Sequence, residues 1–193
     1  MPFRTTRLAL GAVALLALAA CSSTSPGSSA AAPGPGQVHF TSESGRISIN
    51  VPEEWELATS EASEAMTVFS DAELTVEGAW DFDGGKFFGG SSATITTYEN
   101  VPGDTATLAK SSFDVLESIF GGAETTRGTF TTNQGILFER LDLTFEIPGG
   151  TAYEVEFIAV VDHVGIEVTF LVLDGGSATI DEIEAVMKGL VIR

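Results

Sequence analysis

The chain is poor in cysteine, histidine and positive charge, and it has no long apolar run. Cys21 is the one cysteine among 193 residues, so no internal disulfide can form. His39 opens a β-prone run and His163 sits in a tight turn, and neither has an acid-base partner beside it in sequence. A zinc site of protein ligands would have to draw on carboxylates, and none stand in zinc-like spacing. No Gly-x-Ser-x-Gly elbow occurs, so hydrolase chemistry has no visible nucleophile. Lys and Arg number 9 against 27 Asp and Glu, a formal net charge of -18. A phosphate backbone would be repelled, which removes nucleic acid from the partners to consider. The longest apolar stretch, Leu8 to Ala20, has 13 residues where a spanning helix needs about 20.

What is present begins with that short stretch. Arg4 and Arg7 precede it and Leu18-Ala19-Ala20-Cys21 closes it. A cationic start, an apolar core and small residues before a cut mark a secretory signal. Leu18 to Cys21 resembles the lipobox of bacterial lipoprotein signal peptides. The resemblance implies cleavage between Ala20 and Cys21, with a thioether-linked diacylglycerol on Cys21 and a new amino terminus open to acylation. The expected location is the extracytoplasmic face of the cell membrane, with the membrane held as a partner through lipidated Cys21. Loss of residues 1–20 would leave 7 basic residues against 27 acidic ones, a net -20. Residues 22–36, SSTSPGSSAAAPGPG, carry no large apolar side chain and cannot offset the entropy of ordering. Together with Cys21 they read as a tether, 21–36, whose coil would span about 20 Å.

Residues 37–193 read as a single domain, expected to be monomeric, with 44% apolar residues across the chain and 13 Phe to build a core. Val38 to Thr41 and Arg46 to Val51 form a short hairpin pattern, and Pro52 ends the second run. Met66 to Phe69, Leu74 to Ala79 and Ala93 to Tyr98 are further strand candidates, with a Gly-rich loop from Trp80 to Gly90. Asp104 to Phe120 has the helical spacing, with Ala109, Phe113, Leu116 and Phe120 on one face and Gly121-Gly122 as a stop. A short strand at Thr125 to Thr132 is followed by three long ones, Ile136 to Ile147, Thr151 to Val161 and Ile166 to Leu173, which make an antiparallel meander. Thr179 and Glu182 form a capping box for a closing helix.

Pleating then assigns faces. With Pro148-Gly149-Gly150 and Asp162 to Gly165 as the turns, Leu141, Leu143 and Phe145 share a core face with Val155 and Phe157. The opposite face mixes Phe138, Ile158, Val160 and Leu171 with Arg140, Asp142, Glu154, Glu156 and Glu167. A half-apolar face needs cover, and two amphipathic helices are available. The expected class is α+β, a three-layer α/β/α sandwich around an antiparallel sheet.

The short hairpin, the Ile-x-Ile-x-Val-Pro-x-x-Trp segment at Ile47 to Trp55, the mid-chain helix near Leu108, the meander and the closing helix resemble the PsbP-like fold. The nearest likeness is to actinobacterial lipoproteins of the LpqN/LpqT type, and it runs from about Val38 to Arg193. Glu54 departs from that pattern, which often has Gly before the Trp. Binding and assembly proteins use this fold without a shared catalytic site, so the resemblance implies no reaction.

Three local features remain. Asp81-Phe82-Asp83-Gly84-Gly85 starts like a calcium loop, but Lys86 and Ser92 stand where the EF-hand needs Gly and Glu, so no metal or cofactor is expected. Glu154 and Glu156 share one sheet face, as paired catalytic carboxylates would, and as any alternating strand provides. Trp80, Phe82, Phe87 and Phe88 crowd a loop with four Gly and form a candidate recognition surface, against the alternative that they fold into the core. The function expected is a non-catalytic binding or adaptor lipoprotein for a small apolar ligand or a protein partner. The alternative is a membrane-anchored envelope enzyme with a carboxylate-based site.

Overall fold

A computed structural model describes residues 31–69, 74–83, 90–174 and 176–193, with residues 67–69 described by their backbone alone. Ala20, Cys21, Phe87 and Phe88 lie outside the described residues, as do residues 1–30 as a whole. Among the described residues no helix is long and apolar enough to cross a membrane.

The frame is a seven-stranded antiparallel sheet in the order β3-β4-β5-β9-β8-β7-β6. Its strands are β3 (Glu56–Leu57), β4 (Leu74–Asp81), β5 (Ser92–Tyr98), β6 (Glu124–Thr131), β7 (Leu137–Ile147), β8 (Gly150–Val161) and β9 (Val164–Leu173). A smaller sheet joins the hairpin β1 (Gln37–Thr41) and β2 (Ile47–Pro52) to β10 (Val191–Ile192). The helices are α1 (Thr59–Phe69), α2 (Thr105–Ile119) and α3 (Ile180–Lys188).

Each face of the large sheet has its own core. On one face α2 sets Ala109 and Phe113 against Leu141, Leu143 and Ile158. The start of α2 is fixed by Asp104, whose carboxylate accepts the Thr107 N–H at 2.9 Å. On the other face Phe157, Val168, Phe170 and Ile95 meet Ile183 and Met187 of α3 together with Ile47 and Ile49 of β2. The capping box of α3 is present as its residue spacing predicts, with Thr179 and Glu182 each satisfying the other's backbone N–H. The class is α+β with three layers, and the third layer combines α3 with the small sheet.

Three sequence expectations give way. Met66 to Phe69 is the last turn of α1 instead of a strand. The four residues are β-prone in isolation, but Glu61, Ala62, Glu64 and Ala65 before them favour helix. The chain is also held at the helix start, where Ala58 N–H donates to Ala79 O and Ala79 N–H donates to Thr59 Oγ1. Second, the meander turns are two residues long. Ile147 pairs with Gly150 around Pro148-Gly149, with Gly149 at φ +105°, and Val161 pairs with Val164 around Asp162-His163, both at positive φ.

Third, the shorter first turn moves the β7/β8 register by one residue and so exchanges the faces. Leu141 lies opposite Glu156 and Leu143 opposite Glu154, while Arg140 lies opposite Phe157 and Asp142 opposite Val155. The leucine face therefore carries the glutamates, and Arg140 is on the far side of the sheet from them. Residues 31–36, expected from sequence to belong to a tether, touch the domain: Asn50 Nδ2 donates to Ala31 O at 2.8 Å and Glu53 N–H to Gly36 O at 3.0 Å.

Candidate functional site

The structure gathers acids in two places. The first is the sheet face beneath α2. Glu154 and Glu156 alternate along β8, and Glu167 on β9 sits opposite Ile158, diagonal to Glu156. Glu156 is 1% exposed and Glu154 8%, while Glu167 is half-buried. Ser112 of α2 donates to Glu156 Oε1 at 3.0 Å, and Tyr98 of β5 donates to Glu167 Oε2 at 3.0 Å. Glu156 Oε2 has no hydrogen-bond partner among the described residues.

Burial chiefly, and then the Glu167 charge, push the Glu154 carboxyl up to about 7. Glu156 and Glu167 titrate together and both are raised, first by burial; the Glu167 charge adds to the effect on Glu156, while the Ser112 and Tyr98 hydroxyls oppose it. Tyr98 is raised as well, by burial and then by Glu167. Glu154 and Glu156, pushed up to about 7 and about 8, thereby come near neutral pH, which is the property an acid-base site needs. Ser112 on the covering helix bonds the most buried of them, so α2 occupies the side from which a substrate would come. Among the described residues no group of His, Cys, Asp or Glu is arranged to hold a metal ion.

The opposite face balances its charges. Arg140 makes a two-pronged pair with Asp142 at 2.7 and 2.8 Å, reaches Glu184 of α3 at 2.6 Å and lies 5.4 Å above the Phe157 ring. Tyr153 donates to Asp142 from the neighbouring strand. This network ties α3 to the sheet.

The second acidic place is a cleft of about 500 Å³ between the β1–β2 turn, β3, the first turns of α1, and β4. Phe40, Leu57 and Val76 give it apolar walls, Thr41, Ser44, Thr59, Ser60 and Ser63 give it hydroxyls, and Glu43 and Glu77 give it charge. Glu77 projects from a bulge in β4, where the register slips between Val76 and Gly78. Gly78 is required there, since a Cβ would stand 2.6 Å from the Trp80 ring and 2.9 Å from that of Phe40. Glu77 is 4% exposed and accepts from Ser44 Oγ at 2.5 Å and Thr97 Oγ1 at 3.0 Å.

Of the candidate recognition residues, Trp80 and Phe82 are corrected to core. They are 3% and 5% exposed, Trp80 edge-on to Phe40 and Phe82 4.1 Å from the Trp55 ring. Alternation along β4 explains it, because Trp80 is paired with Ala93 on the face that meets the small sheet. His39 donates from Nδ1 to Asn50 Oδ1 at 2.8 Å, and His163 takes its expected place in the β8–β9 turn. Sequence reading put Glu154, Glu156 and Glu167 on one face, but in the company of Arg140 and Asp142, where the register sets them among the leucines. It passed over Glu77, for which Gly78 inside a β-run was the available signal.

No family model matches the chain, and no curated protein matches its sequence. Among solved structures, a protein from Bacteroides thetaiotaomicron VPI-5482 superposes with a TM-score of 0.52 at 16% identity over 82% of this chain, which spans 49% of that protein. The solution structure of cyanobacterial PsbP (CyanoP) from Synechocystis sp. PCC 6803 superposes with a TM-score of 0.54 at 8% identity, over 84% of this chain and 98% of that one. The α+β class with its antiparallel sheets and the likeness to CyanoP make the fold PsbP-like.

Proposed function

We propose that the chain is a lipid-anchored binding or adaptor protein of the LpqN/LpqT type, held through Cys21 on the extracytoplasmic face of the cell membrane and without catalytic activity. The observation that carries the binding reading is the cleft beside α1, an open space with apolar walls and a few fixed polar groups, the usual composition of a ligand site. The carboxylates best suited to proton transfer are packed under α2, away from that space. The anchor rests on the lipobox-like run before the single cysteine.

Fractionation of cells expressing Cys21→Ala tests the anchor. The variant should leave the membrane pellet, since two or three acyl chains hold a protein stably where one is marginal; a variant that still sediments with membranes overturns it. Native mass spectrometry of the wild type from its own membrane should show the lipid mass and a co-purifying small molecule or protein.

A membrane-anchored enzyme is the second reading, favoured by one observation: Glu154 and Glu156 are both held well above the ordinary carboxylate range on one face. It requires α2 to lift. Protection of α2 amides from hydrogen exchange to the level of the β8 amides would exclude it.

A further inference from the structure

We propose that the cleft between the β1–β2 turn, α1 and β4 binds a small organic cation with an apolar body, such as an alkylammonium. This rests on the binding reading above and specifies its ligand.

The charge of the cleft points to a cation. Glu43 stands exposed at the rim and Glu77 is buried at the floor, and among the described residues that line the space there is no Lys, Arg or His. Among the described residues the Arg46 guanidinium comes within 4.0 Å of Glu77 and is committed to Glu99 at 2.6 Å. Glu77 is thus held by two hydroxyl donors and a distant guanidinium, so a close counter-ion has room to act. Anions meet two carboxylates here and a strongly acidic protein everywhere else.

The walls select the rest of the ligand. Leu57 is 60% exposed, Val76 is half-buried and the Phe40 ring is braced edge-on by Trp80 at 5.0 Å. An alkyl chain covering Leu57 and Val76 would remove apolar surface from water. An aromatic ring beside two carboxylates also suits an ammonium group. The hydroxyls argue against a sugar, because most are already in use. Ser44 donates to Glu77, Ser60 to Glu61, Thr59 accepts from Ala79, and Thr41 is bonded to Ser48 and His39. A polyol would find few free partners.

The test is calorimetric titration of the full chain with three probes of one shape, n-hexylammonium, hexanol and hexanoate. Hexylammonium should bind with a dissociation constant of about 1 mM or tighter, a reach suited to so small a ligand, and the other two at least about tenfold more weakly. Glu77→Gln should remove most of that preference for the cation. Because Glu77 is buried and bonded, Leu57→Ser serves as the second variant: on a side chain this exposed it should leave the melting midpoint unmoved and weaken hexylammonium several-fold. Equal binding of hexanol or hexanoate overturns the cation assignment and leaves a binding protein standing. Hexylammonium binding unaffected by both variants places the site elsewhere and overturns the proposal. Absence of binding by all three overturns it too, while a different co-purifying ligand would keep the binding reading.

Discussion

The two faces of the seven-stranded sheet treat charge in opposite ways. Beneath α3, Arg140 meets Asp142 and Glu184 and stands over Phe157, so each acid has a cation. Beneath α2, Glu154, Glu156 and Glu167 share a face with leucines, and Ser112 and Tyr98 donate hydroxyls to Glu156 and Glu167. Residues of adjacent strands thus enter different regimes: ion pairing ties α3 to the sheet, whereas on the α2 side burial raises the carboxyls above their ordinary range. The contrast teaches that burial of an acid in this fold does not require a partner of opposite sign.

The largest expected effect separates the two cores. Phe157 and Ile158 are adjacent, fully buried and on opposite faces. Phe157→Ala should destabilise the domain by about 3 to 5 kcal/mol and Ile158→Ala by about 2 to 4 kcal/mol. Urea denaturation checks both, and a loss well under about 2 kcal/mol for either would show that its face lacks a core of its own.

Proton retention makes stability depend on pH. A Glu154 carboxyl raised to about 7 keeps its proton in the folded protein while the unfolded chain releases it near 4.5. Stability should therefore fall as pH rises from about 4.5 to about 7 and then level off, by on the order of 3 kcal/mol for Glu154 alone. Glu154→Gln should flatten that slope and raise the melting midpoint at pH 8 with little change at pH 4.5. A midpoint that climbs across the same window would show that these acids are paired after all.

The smallest effect lies on the balanced face. Arg140→Met keeps the apolar stem over Phe157 and leaves Asp142 and Glu184 without a cation. Since Glu184 is well exposed, the loss should be about 1 to 2 kcal/mol. Hydrogen exchange should locate it in α3, and an effect confined to α2 amides would contradict the division of faces.

What could be read from sequence divides along the range of the interactions. The α3 capping box and the α2 stripe of Ala109 and Phe113 are set by residues within a few positions, and both stand as expected. The layered α+β fold also follows from strand order and amphipathic helices. Failures come where one residue decides a long-range outcome. A two-residue turn at Pro148-Gly149 fits the chain as well as a three-residue one, yet it determines which face Glu154 and Glu156 occupy. Trp80 reads as loop beside glycines, and its burial depends on pairing with Ala93 and on the approach of Phe40. The floor of the cleft was hidden for the same reason, since Glu77 turns inward only through a bulge.

The pairing of β10 with β2 has a consequence in time. Val191 lies opposite Ser48, and Arg193 reaches the same Ser48 at 2.6 Å across 145 residues of chain. A polypeptide emerging from its amino terminus presents the β1–β2 hairpin early, and that hairpin must wait for nearly all of the meander and α3 before its third strand arrives. Until then one side of β2 offers unpaired backbone, the kind of edge to which other chains attach. A stalled chain that stops short of residue 191 would carry this open edge with most of the large sheet already formed. Such truncated products should self-associate, while the chain that includes β10 closes its own edge.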